Sequence, residues 1–198
     1  MRHAEMSHCR LDAEAVQSLV TACPHLSVLT LAGCKLEAAA LSCLNQACLS
    51  RLELLDLSKN PLGWSGVWSL SSCHLPTLYW LSLDDTNLDA LAAMYLAQGQ
   101  WPKLETLRLF DNQLSVEAVA YLVKGQWPLL QKLGLTWTCV SEAAFAVLGV
   151  ADACKQFENM TSCDKLHSLP ASLLRSSFCV WPKLNAVTVQ HACLGQMH

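Results

Sequence analysis

The chain repeats one pattern of apolar residues at a fixed step of 26 residues. Leu26-x-x-Leu29-x-Leu31-x-x-Cys34-x-Leu36 returns as Leu52/Leu55/Leu57/Asn60/Leu62, Leu78/Leu81/Leu83/Thr86/Leu88, Leu104/Leu107/Leu109/Asn112/Leu114 and Leu130/Leu133/Leu135/Thr138/Val140. A unit this short cannot bury its own apolar face and must pack it against a neighbour, so the pattern confines the fold to a stack of similar turns. Met1, Ala4, Met6, Cys9 and Leu11 take the same slots 25 residues ahead of Leu26, and Leu184, Val187, Val189, Ala192 and Leu194 take them again near the C-terminus. The step from Leu130 to Leu184 is 54 residues, two periods of 27, which predicts a degenerate turn between them around Phe157, Met160 and Ser162. The sequence thus predicts a single repeat domain over 1–198 with about eight turns, irregular at 151–183.

Each turn reads as a short strand, a bend, a helix and a return. Six turns carry a second pattern at i, i+4, i+8: Leu11/Ala15/Leu19, Leu36/Ala40/Leu44, Leu62/Gly66/Leu70, Leu88/Ala92/Leu96, Leu114/Ala118/Leu122 and Val140/Ala144/Leu148. That spacing places three residues on one helical face. The central residue is always Ala or Gly, small enough to let the helix approach the strand layer closely. Ser115 with Glu117, Ser141 with Glu142, Asp12 and Asp89 mark helix starts, where a short polar side chain caps free N–H groups. Gly99 and Gly125 mark helix ends, and each is followed by Gln-Trp-Pro. The recurring Trp101, Trp127 and Trp181 replace apolar residues at the helix-to-strand corner and read as core fillers. The strands are expected to be parallel, one per turn, with right-handed crossovers. A wide helical side and a narrow strand side then bend the stack, with strands concave and helices convex.

Composition narrows the function. Hydrophobic residues make up 53% of the chain and charged residues only 15%, which suits a continuous core. No apolar run reaches the roughly 20 residues of a membrane span, and MRHAEMSHCR lacks a signal-peptide core. A net charge of −3 gives no basic surface for nucleic acid. Eleven cysteines without a signal sequence point to free thiols in a reducing, cytoplasmic location. Cys9 and Cys34 hold the slot that Asn60, Thr86, Asn112 and Thr138 hold elsewhere, where a small side chain turns inward and bonds free backbone groups. A bridge between the two is sterically conceivable on adjacent strands, but reduced structural thiols are expected. Cys23, Cys43, Cys48 and Cys73 read as small buried hydrophobes.

No cofactor or metal site is expected. His3, His8 and Cys9 cluster, as do His191, Cys193 and His198, yet neither group has a paired zinc spacing. There is no glycine-framed nucleophile and no phosphate-binding glycine loop. These absences predict a non-catalytic protein.

Binding residues are sought on the strand positions expected to face water, namely the second, third, fifth, seventh and eighth of the pattern. They present Tyr79, Trp80, Phe110 and Trp137 with Arg108 among them, and an acidic band of Asp56, Asp84, Asp85 and Asp111. Aromatic side chains and Arg are favoured at interface centres. The site predicted from this face is Tyr79, Trp80, Asp84, Asp85, Arg108, Phe110, Asp111 and Trp137, for a protein partner of basic or mixed charge. The competing reading is ordinary strand-face packing and solvated charge, including aromatics that pack on one another across turns.

The 26-residue period, the Asn/Cys/Thr slot and the helical half of each turn resemble leucine-rich repeats of the ribonuclease-inhibitor-like class. The resemblance covers nearly the whole chain. It implies an α/β horseshoe solenoid, an intracellular location and a partner on the concave face. Two further readings stay open, a GTPase-activating repeat protein and a substrate-receptor arm of a ubiquitin ligase, although no catalytic residue of the first and no F-box-like helix of the second is matched. No polar cap precedes the first turn and no capping turn follows the last, so the chain is expected to be a fragment of a longer array.

Overall fold

The structure, a computed structural model, describes residues 1–47, 49–112, 114–136, 166–168, 183–184 and 186–190. Strands and helices alternate along the chain: β1 (His3–Glu5), α1 (Ala13–Ala22), β2 (Val28–Thr30), α2 (Ala38–Gln46), β3 (Leu54–Asp56), α3 (Gly63–Ser71), β4 (Trp80–Ser82), α4 (Ala90–Leu96), β5 (Thr106–Arg108), α5 (Val116–Leu122) and β6 (Lys132–Thr136). Two more strands follow, β7 (Leu166–Ser168) and β8 (Ala186–Gln190). β1 to β6 pair in sequence order, all parallel.

The register follows the repeat. Ala4, Leu29, Leu55, Leu81, Leu107, Leu133 and Val187 stand opposite one another on successive strands. Those from Ala4 to Leu133 are buried, as are the next slot residues Leu31, Leu57, Leu83, Leu109 and Leu135. A one-residue slip would turn each of these ladders to the opposite face of the sheet, so the apolar pattern itself fixes the pairing.

The far end of the sheet departs from the predicted one strand per turn. β8 pairs directly with β6, matching Leu133 to Val187 and Thr136 to Gln190. β7 lies on the outer edge of β8 and runs antiparallel to it. The slot residues Leu184, Val187 and Val189 carry the apolar pattern on, and Val187 and Val189 stand beside Leu133 and Leu135 of β6. Phe157, Met160 and Ser162 lie outside the described residues.

The helices form a second layer in which each packs on the next, from α1 to α5. The triads from Leu36/Ala40/Leu44 to Leu114/Ala118/Leu122 are buried. Gly66 shows why the central residue must be small: a Cβ there would stand 2.9 Å from Leu62 Cβ and 3.3 Å from Leu41 Cδ1, so the squeeze comes from its own helix start and from α2. A second row, Val16, Leu41, Val67, Ala93 and Val119, five residues past the first triad position, is buried as well. The first triad is the exception. Ala15 is exposed and Leu11 and Leu19 are half-buried, because α1 has a helix on one side only.

Side chains cap three of the five described helices as the sequence predicts, while Glu37 and Leu62 give α2 and α3 no side-chain cap. Asp12, Asp89 and Ser115 accept the N–H groups of Ala15, Ala92 and Ala118 at 2.8, 2.7 and 3.1 Å, capping α1, α4 and α5. Ser141 lies outside the described residues. In the inward slot, Asn60 accepts the Leu36 N–H at 3.0 Å and donates to the carbonyls of Leu31, Leu57 and Ser58. Asn112 accepts the N–H groups of Thr86 and Leu88 and donates to Leu83 and Phe110. Each asparagine therefore ties its own turn to the preceding one. Cys34 does less, donating its thiol to the Met6 carbonyl at 2.6 Å. The bends after β1 to β5 each turn through a left-handed residue: His8, Gly33, Lys59, Asp85 and Asp111 have φ between 52° and 64°.

Trp101 and Trp127 fill the corners, both fully buried, with ring centroids 6.3 Å apart and planes 9° from parallel. Gly99 and Gly125 are needed for a reason other than helix termination. A Cβ on either would come within 2.5–2.7 Å of the indole two residues on. The glycine is the floor on which the next tryptophan lies.

Candidate functional site

The strand layer carries a cluster built on two neighbouring turns. β4 supplies Trp80, the bend after it supplies Asp84, and β5 with its own bend supplies Arg108 and Phe110. The register places Ser82 opposite Arg108 and Arg108 opposite Gly134. Arg108 Nε and Nη2 donate to Asp84 Oδ2 at 2.9 and 2.6 Å. The Phe110 N–H donates to Asp84 Oδ1 at 2.8 Å. The guanidinium carbon lies 5.1 Å from the Phe110 ring centre and 5.9 Å from that of Trp80, within range of cation–π attraction to both. Arg108 is thus held in place by one carboxylate and two rings.

Asp84 is only 8% exposed. Burial pushes its carboxyl above the ordinary value; the Arg108 charge, the Phe110 N–H and hydrogen bonds from Arg108 and Ser82 pull the other way without cancelling it. Donors from Arg108, Phe110 and Ser82 aimed at its two oxygens fit the ionised form, so this carboxylate is well bonded but poorly hydrated.

Of the eight residues predicted for the site, five keep an outward position. Tyr79 is 40% exposed, Trp80 and Arg108 are half-buried, and Asp85 and Asp111 are exposed. Two are corrected. Phe110 is only 5% exposed, because Gly134 on the next strand has no side chain and the ring covers it. Asp84 turns inward as the acceptor for Arg108 and Phe110, and cannot serve as part of a free acidic rim. Ser82 and Gly134, also expected to face water, are buried for the same reasons. Trp137 lies outside the described residues. Strand-face packing on the neighbouring turn therefore accounts for Phe110, while Tyr79 and Trp80 remain presented.

A second aromatic surface lies on the helix layer. Trp64 and Trp68 on α3 are 47% and 54% exposed, and Leu91 on the neighbouring α4 is exposed as well. Trp64 lies 6.2 Å, ring to ring, from Tyr95 on α4. The signal was present in Gly63–Ser71, where two tryptophans four residues apart fall outside the buried triad of the same helix.

The cysteines Cys9, Cys23, Cys34, Cys43 and Cys73 are free thiols. Burial pushes Cys73 up to about 12 and raises Cys34 too. Among the described residues no three His, Cys, Asp or Glu side chains converge on a common point, and no helix is long and apolar enough to cross a membrane. Comparison with protein-family models finds no match, and comparison with curated proteins finds none either.

Proposed function

We propose that the chain is a leucine-rich repeat protein of the ribonuclease-inhibitor-like class, a horseshoe solenoid whose concave strand face binds a protein partner without catalysing a reaction. The observation that carries this reading is Trp80 beside an Arg108 immobilised by Asp84, with Tyr79 exposed next to it. Aromatic and Arg side chains lose little freedom on binding when they are already fixed, and such residues dominate interface energetics. The alternating strand and helix units, with β1 to β6 paired in parallel, support the class, and the free thiols support a reducing compartment. Asp85 and Asp111 at the rim favour a partner of basic or mixed charge.

The test is affinity for a partner recovered by pull-down. Tyr79→Ala and Trp80→Ala should each weaken it by about 2 kcal/mol or more, with melting temperature nearly unchanged, while Glu117→Ala on α5 does neither. Binding that survives both changes but is lost in Trp64→Ser with Trp68→Ser would move the site to the helix layer.

A further inference from the structure

A groove runs along the edge of the sheet where the strands begin. Its floor is a backbone ladder one residue wide: the N–H groups of Ser27, Glu53, Tyr79, Glu105 and Gln131 donate to the carbonyls of Arg2, Ser27, Glu53, Tyr79 and Glu105 at 2.7–2.9 Å. This fixes the side chains of that slot in a row about 5 Å apart. Beside it stands a second row, two residues earlier in each turn: His25, Arg51, Thr77, Lys103 and Leu129. Where the rows hold small residues, hollows open. One of about 360 Å³ is lined by Arg2, His3, His25, Arg51 and Glu53 around Ser27 and Thr77. An adjoining one of about 460 Å³ shares Glu53 and Thr77 and continues to Tyr79, Lys103, Glu105 and Leu129.

The first hollow is unbalanced in charge. Two guanidinium groups and two imidazoles face one carboxylate. The side chains of Arg2, His3, His25 and Arg51 make no ion pair or hydrogen bond among the described residues, not even with Glu53 in the same hollow. Ser27 and Thr77 are occupied otherwise, donating to the carbonyls of Arg2, Ser50 and Leu52. Arg2 and Arg51 belong to turns two strands apart, about 10 Å at the backbone, and Ser27 between them leaves the space their long side chains can share. Free guanidinium forks around one space match the geometry of a phosphate, which each can grip through two N–H groups.

From this we propose that the strand-entry groove binds a phosphorylated peptide segment, with its phosphate monoester held by Arg2 and Arg51 and assisted by His3 and His25. The rest of the groove selects against a polyanion, because Glu53 and Glu105 line it and would repel a second and third phosphate. Tyr79 and Leu129 instead offer apolar walls to residues that flank the phosphate. Arginine clusters recognise phosphorylated segments in this way generally. A phosphate carries close to two negative charges at neutral pH, more than a single carboxylate offers these groups.

The experiment uses immobilised libraries of random ten-residue peptides with a fixed central phosphoserine, serine or glutamate. The phosphoserine library should be retained at least about tenfold better than the serine library, and inorganic phosphate should compete. Arg2→Gln and Arg51→Gln should each reduce retention about tenfold, the scale of a lost charge-assisted pair. Both side chains are exposed and unbonded, so melting temperatures should hold; Lys35→Gln should change nothing. Equal retention of the serine or glutamate library, or unaltered retention by either arginine variant, overturns the proposal. Trp80→Ala should leave retention intact, so failure of the strand-face reading appears in a different variant from failure of this one.

Discussion

The ring of Phe110 occupies the space that a side chain at position 134 would take: a Cβ on Gly134 would meet Phe110 Cζ at 2.7 Å and two other ring carbons at 3.0 and 3.1 Å. Two residues on adjacent turns thus share one site on the strand face. Phe110→Ala should destabilise by about 3–5 kcal/mol, the range for emptying a buried aromatic site, whereas Trp80→Ala should have a smaller effect on folding. Gly134→Ala should also destabilise, because the ring must swing out, and most of that loss should vanish in a Phe110→Leu background. Denaturant titration of the four variants and the double mutant measures the coupling. Additive effects would mean that the ring does not depend on the bare glycine.

Asp84 gives a pH dependence whose sign runs against the usual expectation for an ion pair. Its carboxyl is raised by burial above its unfolded value, so the folded state holds the proton more tightly. The contribution of this group is fully present below the unfolded value, near 3.9, and is lost as pH rises through the raised folded value. Wild type should therefore gain stability relative to Asp84→Asn as pH falls from neutral towards that region. Paired melting curves at several pH values decide it. A difference that shrinks on acidification would show that Arg108 and the Phe110 N–H outweigh desolvation.

Much of this fold is legible in the sequence because one physical constraint repeats. The 26-residue period sets the register from Ala4 to Leu133, the inward slot needs a small polar group, and Asp12, Asp89 and Ser115 sit where free helix N–H groups must be capped. The misreadings arise where exposure depends on a partner in another turn. A seventh-position residue faces water only if the neighbouring fifth position is filled, and Gly134 is not. Asp84 looks like one of four surface acids until Arg108, 24 residues on, reaches it. Gly99 reads as a helix stop, yet the indole of Trp101 decides its identity. β7 escapes because an antiparallel edge strand owes nothing to the period.

The two corner tryptophans differ in one hydrogen bond. Trp127 Nε1 donates to the Gly99 carbonyl at 3.3 Å, whereas the buried Nε1 of Trp101 has no partner among the described residues. Trp127→Phe loses a made bond and should be the more destabilising of the two phenylalanine variants by about 1 kcal/mol. Trp127→Ala should reach about 3–5 kcal/mol. Chemical denaturation of the pair settles the ranking; equal losses would mean that ring volume alone matters at this corner.

Thiol reactivity should follow burial along the stack. Cys9 is exposed, Cys43 is half-buried, and Cys23, Cys34 and Cys73 are buried. With its thiol pushed up to about 12, Cys73 has almost no thiolate at neutral pH and also donates to the Ser69 carbonyl at 3.4 Å. Since the thiolate is the reactive form, alkylation of the native protein should modify Cys9 first and Cys73 only through opening of the core. Peptide-resolved mass spectrometry after timed alkylation gives the order for these five. Adding low denaturant should accelerate Cys73 far more than Cys9, because only Cys73 waits on opening. Labelling of Cys73 as fast as Cys9 in the native protein would mean that the strand-helix corner under Leu70 and Leu75 opens freely, and that the stack is held together less tightly than its buried leucines imply.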